Sequence, residues 1–265
     1  VLSTRVNPQQ VGLNHEDAGQ SWRWRPFRAP PPPTRPQQLR GTIWIISGIE
    51  AGYLPIVRAY HAIRAAGATA AIRVFNWQRP GLGVFNLIAL RRNRQRAETL
   101  ARNIQTQLAE YPRAPIDVVA YSGGAAIAVF AAEALPAAAL LRNLVLVHPA
   151  LSPTYDLNAA ASRCSGKLVV YHSPRDVLVD GLGTLVFGTM DRSRCIAAGN
   201  RGFDLDTALS RDELRSKVVQ HAWSPQVWRD TGHYGGHLGM LTFRWNMRYV
   251  ARYVLSQSDV DQGRD

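Results

Sequence analysis

Ser122 is the residue of this chain whose surroundings point most directly to chemistry. It stands in IDVVAYSGGAAIAVFAAEA, residues Ile116–Ala134, between a β-branched run and an alanine-rich segment of strong helix propensity. A serine on such a strand-to-helix turn is held in strained backbone geometry, and bulky residues two positions before or after it would collide. Those positions are Ala120 and Gly124, giving A-x-S-x-G. The helix that follows adds unpaired N–H groups and a dipole where negative charge would develop. These are the needs of an acyl-transfer nucleophile. In an Ala- and Gly-rich chain the same pentapeptide also fits a loop serine capping a helix, so the neighbouring elements have to decide.

Those elements alternate. Thr42–Ile46, TIWII, reads as the first strand, followed by Ser-Gly-Ile-Glu-Ala-Gly; a helix runs from about Leu54 to Ala66 and Gly67 stops it. Ala70–Phe75 reads as a second strand, and a polar helix from about Ala89 to Glu110 ends before Pro112. Further strands are expected at Asp117–Tyr121, Leu144–His148, Lys167–Tyr171 and Val218–His221. Pro136 closes the helix after Ser122, and a last helix spans roughly Met240–Leu255. This alternation predicts an α/β fold with a mostly parallel sheet flanked by helices. In such sheets the working loops lie at the carboxyl ends of the strands.

A chain of 265 residues suits one sizeable α/β domain, placed at 40–258, with a proline-rich arm at 1–39 and a polar tail at 259–265. Hydrophobic residues at 46% against charged residues at 19% indicate a globular chain. The net charge of +12 is almost all arginine, since Lys167 and Lys217 are the two lysines, and it is spread along the chain. Mutational bias in a GC-rich genome is one plain explanation for arginine over lysine. The charge permits peripheral contact with anionic surfaces, and no motif for specific nucleic-acid binding accompanies it. Cys164 and Cys195 are too few for a disulfide framework or a zinc site, and whether they pair is open. No run of about 18 apolar residues marks a transmembrane segment. The arm ends in Arg-Ala-Pro-Pro-Pro-Pro-Thr-Arg-Pro, a stiff extended spacer, while Trp22, Trp24 and Phe27 give it surface to pack on the domain. The arm and the absence of an initiating methionine lean toward an exported or envelope-associated bacterial protein over a cytoplasmic one.

With A-Y-S-G-G at the turn, the order of elements over Gly41–Leu255 resembles the α/β-hydrolase family, in its serine esterase and lipase-like form without a cap domain. The resemblance implies an acid after the strand two beyond the serine. In KLVVYHSPRDVLVD that is Asp176, with Asp180 close enough to compete; the plainer role for Asp176 is a turn residue bonding its own backbone. It implies a histidine in the loop after the last strand, where DTGHYGGHLGML offers His233 and His237. His237, directly before the final helix, is the expected base, and His233 is left to orient the loop or touch substrate. Oxyanion donors would be the amides of Gly123 and Ile49, although Ser47 replaces the histidine of the family's His-Gly-x pattern. His148, after LVLV, reads as structural or pocket-lining, and Glu50 as a substrate contact or a solvated side chain.

The implied activity is hydrolysis of carboxylic esters, esterase- or lipase-like, through a Ser-His-Asp triad and an acyl-enzyme, with no cofactor and no metal. The same machinery would release amide or thioester acyl groups, or pass them to an alcohol. Residues 149–166 are too few for a cap, so an open site for a small-molecule or lipid-like ester is expected. Leu185, Val186, Phe187 and Met190, in the longer excursion 177–216, could wall an acyl chain, although core packing is the commoner fate of such residues. The alternative is a catalytically silent relative serving as a binding or envelope-associated protein, favoured by Ser47 and the basic, aromatic arm.

Overall fold

The computed structural model describes residues 31–49 and 54–255. Within them the β-branched runs form six strands: β1 (Thr42–Ile46), β2 (Ala71–Val74), β3 (Ile116–Tyr121), β4 (Leu144–Val147), β5 (Leu168–His172) and β6 (Val218–Ala222). They make one sheet in the order β2-β1-β3-β4-β5-β6, with every neighbouring pair parallel. Side chains alternate across a strand. Ile43, Ile45, Val119, Val145 and Val169 therefore join one buried cluster, and Trp44, Ile46, Val118, Leu146 and Val170 the other. Burial of both faces is what lets these strands read as continuous apolar runs.

Helix Leu54–Ala65 and the C-terminal residues Trp245, Val250 and Val254 cover the first face. Helices Leu90–Glu110 and Gly123–Ala134 cover the second and pack on each other. The second of these is built of small residues because it is buried along nearly its whole length. β1 has β2 on one side and β3 on the other, so the chain leaves these two central strands in opposite directions. The loops after β1 and β3 consequently face each other at the carboxyl edge of the sheet, where a crevice is expected in open α/β sheets.

Two elements differ from the sequence expectation. Arg35–Arg40, within the stretch read as an arm, is a short helix. Thr34 precedes it and donates its N–H to Gln37 Oε1 at 2.9 Å, and Pro36 falls in the first turn, where the missing N–H costs nothing. The final helix is instead a succession of short pieces: a 3₁₀ turn at His237–Leu241, an α turn at Phe243–Trp245, a π turn at Asn246–Val250 and a 3₁₀ turn at Ala251–Tyr253. The cause is Asn246, a buried amide that donates to the carbonyls of Met240 and Thr242 and accepts from the Tyr121 hydroxyl. Side-chain bonds of this kind compete with the regular helical ladder.

Cys164 and Cys195 are both free thiols. Burial pushes Cys164 up to about 12, so it is inert as a nucleophile. Trp22, Trp24, Phe27, Glu50 and the tail lie outside the described residues. Among the described residues no helix is long and apolar enough to cross a membrane.

Candidate active site

Ser122 follows β3 with φ 53° and ψ −124°, one of three non-glycine residues with positive φ among those described. Such geometry persists only where the surroundings impose it. Here the Ser122 N–H donates to Val147 O at 2.8 Å, and its carbonyl accepts from Ala125 N at 3.0 Å and Ala150 N at 3.3 Å. The need for a small residue two positions on has a direct cause: a Cβ on Gly124 would stand 2.2 Å from Ser47 O. Any side chain there would push the helix off the end of β1.

The loop after β1 closes over the turn. A Cβ on Gly123 would come within 2.6 Å of Ile49 Cγ2, so the two residues expected to supply oxyanion donors are neighbours. Three side chains hold this loop's carbonyls. Trp77 Nε1 donates to Ser47 O at 2.9 Å, Gln78 Nε2 to Gly48 O at 2.6 Å and Asn86 Nδ2 to Ile49 O at 3.0 Å. Gln78 also bonds the Ser47 hydroxyl, the group standing where the family pattern has histidine. Because a trans peptide points its N–H opposite its C=O, a Gly48 carbonyl held by Gln78 turns the Ile49 N–H away from Gln78. Sequence reasoning did not single out Trp77, Gln78 or Asn86. The available signal was polar and aromatic residues directly beyond the carboxyl end of β2.

His237 opens the 3₁₀ turn that follows Gly236. Its Nε2 lies 3.0 Å from Ser122 Oγ and its Nδ1 2.5 Å from Asp176 Oδ2. Asp176 is buried in the turn after β5, and its Oδ1 accepts from Asp180 N at 3.3 Å. Burial alone would raise this carboxyl; hydrogen bonds from His148 and His237 outweigh it and hold Asp176 well below the usual carboxylate range. An ionised Asp176 can only accept, so His237 carries its proton on Nδ1 and leaves Nε2 free to take one from Ser122. Burial lowers His237, but the charges of Asp180 and Asp176 prevail and its pKa is raised.

The competing residues separate clearly. His233 is buried, with Nδ1 accepting from Gly235 N at 3.0 Å and its carbonyl accepting from Trp223 Nε1 at 2.7 Å. Burial and then His148 push it down to about 3. These bonds tie it into the loop. Asp180 is fully buried, 3.7 Å from His237 Nδ1, and neither carboxyl oxygen has a hydrogen-bond partner. Burial, opposed by His237 and reinforced by Asp176, raises it above the normal range. His148, read from sequence as structural or pocket-lining, reaches Asp176 itself: its Nδ1 is 2.8 Å from Oδ2. Its place at the carboxyl end of β4, between the strands bearing Ser122 and Asp176, was the signal. His148, Asp176, Asp180 and His237 each offer one metal-ligand atom, all within 4.8 Å of one another. A metal ion there would replace both imidazole–carboxylate bonds.

An apolar cavity of about 580 Å³, bordered by Val177, Leu178, Val179, Tyr234 and Leu238, opens beside Asp176 and His237. Leu178 is 79% and Leu238 64% exposed, an unusual state for leucine. Leu185, Val186 and Phe187 lie half exposed on the adjoining turn Thr184–Phe187. Met190 corrects the expected wall. It is fully buried, close under Gly123, with its sulfur 3.7 Å from Asn93 Nδ2, and so belongs to the core. Residues 149–166 form turns and the short helix Asn158–Ser162.

No family model matches the chain, and no curated protein matches it by sequence. Among solved structures, lipase B of Aspergillus fumigatus superposes with a TM-score of 0.52 at 11% identity, over 84% of this chain and 54% of that one. This chain therefore spans about half the length of that lipase. The esterase domain of a Rhodothermus marinus protein gives 0.49 at 12% identity, over 87% of this chain and 90% of that one. A cutinase-like protein from Cryptococcus sp. gives 0.43 at 14%, over 81% and 93%. The parallel sheet, its strand order and the helices on both faces are the α/β-hydrolase fold.

Proposed function

We propose that the protein is a serine hydrolase cleaving carboxylic esters, esterase- or lipase-like, through Ser122, His237 and Asp176. The observation that carries this reading is the unbroken relay from Ser122 Oγ to His237 Nε2 at 3.0 Å and from His237 Nδ1 to Asp176 Oδ2 at 2.5 Å. His237 takes the Ser122 proton as the hydroxyl attacks the acyl carbon, and the Asp176 carboxylate stabilises the imidazolium. The amides of Gly123 and Ile49 receive the oxyanion. His237 then gives the proton to the departing alkoxide, and water repeats the sequence on the acyl-enzyme. The cavity beside His237 favours an apolar acyl group. Its exposed Leu178 and Leu238, with Arg175 alongside, and the exposed Leu182 and Val186 further along the chain also suit peripheral contact with an anionic, lipid-bearing surface.

The test combines fluorophosphonate labelling read by intact mass with a p-nitrophenyl ester chain-length series. Wild type should take up one probe and prefer longer acyl chains to acetate. His237→Ala should cripple both reactions, whereas His233→Ala should lower Tm more than turnover. A folded wild type that neither labels nor turns over any ester would instead favour a silent binding protein.

The pH profile follows from His237. The base must be neutral, and its pKa lies above the ordinary 6.5, so protonation removes activity at higher pH than for free imidazole. The acid limb of kcat/KM is expected with a midpoint above 6.5. A midpoint at or below that of free imidazole would contradict the assignment.

A further inference from the structure

The oxygen of Asp176 that receives His237 also receives a second imidazole. His148 Nδ1 lies 2.8 Å from Oδ2, His237 Nδ1 lies 2.5 Å from the same atom, and the two rings meet edge to face with centroids 5.8 Å apart. A carboxylate oxygen only accepts, so both Nδ1 atoms carry protons. His148 is fixed on every side. It is 1% exposed, holds φ 49°, donates its backbone N–H to Tyr171 O at 2.8 Å, and stacks on His233 at 5.6 Å. A non-glycine residue keeps positive φ only where the surroundings demand it, and what this conformation achieves is to aim one N–H at the acid.

We infer that His148 is a positioning residue for the acid, its Nδ1–H fixing Asp176 Oδ2 and sharing that oxygen's charge with His237. The inference rests on the hydrolase reading and adds to it a fourth side chain. The charged and titratable groups facing His237 are Asp176, Asp180 and His148; those facing His148 are Asp176, His172, His233 and His237. Two carboxyl groups beside His237 both favour its protonated form. Each additional N–H on Oδ2 weakens that pull, and a base held too strongly protonated is unavailable to Ser122 at neutral pH. Burial, aided by the charge on His237, keeps His148 itself neutral against the pull of Asp176. It therefore acts as a fixed dipole and adds no second cation to the site.

The experiment is the pH dependence of kcat and KM on p-nitrophenyl butyrate for wild type, His148→Ala and His148→Asn. Asparagine places an N–H donor near the position of the imidazole Nδ1 and tolerates positive φ. His148→Ala should lose about tenfold or more in kcat with KM little changed, and its acid limb should move up by about half a unit or more. His148→Asn should recover most of kcat and return the limb toward wild type. Wild-type kcat and limb in His148→Ala would overturn the inference, as would equal losses in both variants with an unmoved limb, the mark of a merely structural role. Should His148→Ala fail to fold, ¹⁵N-histidine NMR decides: wild type should show two strongly downfield imidazole N–H protons and His148→Asn one, and a single such proton in wild type would overturn it. Absent wild-type turnover would count against the hydrolase reading alone, since the NMR measurement still decides whether His148 bonds the acid.

Discussion

Ser122→Ala is expected to abolish fluorophosphonate labelling and to lower ester turnover by roughly 10⁵–10⁶-fold, with the fold intact. The hydroxyl's side-chain partner is His237 Nε2 at 3.0 Å, so its removal deletes the nucleophile and one exchangeable bond and leaves the core untouched. The residual rate should still exceed that in water, because the Gly123 and Ile49 amides, the proposed oxyanion donors, are untouched by the change. A second variant exposes the strain. Ser122 holds φ 53° on a turn that a β-carbon disfavours, so Ser122→Gly should be as inactive as Ser122→Ala yet unfold at a higher temperature. Intact mass, p-nitrophenyl ester rates and thermal melts read all three quantities. Probe mass persisting on Ser122→Ala would place the nucleophile elsewhere.

The parts of this site visible in the sequence are those that local chemistry dictates. TIWII, IDVVAY and LVLV can hardly be other than buried strands, and the small residues at Ala120 and Gly124 mark a turn that Gly124 makes possible by letting its helix approach Ser47 O. The expectation of Asp176 and His237 rests instead on the resemblance to the α/β-hydrolase family, which implies an acid and then a histidine after that turn. What local pattern did not disclose depends on contacts across the sheet. Met190 has the same apolar character as Phe187, yet one lies under Gly123 and the other faces solvent, because the turn at Thr184–Phe187 ends before the chain dives back to the core. The final helix breaks up because Asn246 bonds Tyr121 on β3, a partner far away in the chain. His148 belongs to the same class. Its bond to Asp176 arises because β3, β4 and β5 are adjacent and deliver Ser122, His148 and Asp176 to one edge.

Asp176→Asn and Asp176→Ala are expected to differ, and the difference measures what Asp180 can do. The wild-type carboxylate accepts from His237, His148 and the Asp180 backbone N–H. Asparagine replaces one acceptor oxygen by a donor. Where that donor faces His237, the ring must take its proton on Nε2, toward Ser122, where it cannot act as a base; a loss of roughly 10⁴-fold in kcat follows. Alanine leaves a gap instead. Asp180 Oδ2 is then the remaining carboxyl near His237 Nδ1, at 3.7 Å, and a shift of less than about an ångström brings it to hydrogen-bond distance. Burial still raises its pKa, but the neighbouring carboxylate that reinforced that shift is gone, and the positive charge of a forming imidazolium lowers it, so that the Asp180 proton is released to solvent. Asp176→Ala should therefore retain about tenfold more activity than Asp176→Asn, and adding Asp180→Asn should erase the surplus. The four rates on one p-nitrophenyl ester close the cycle. Equal rates for the two Asp176 variants, indifferent to Asp180, would leave Asp180 a buried acid that packs against the relay without entering it.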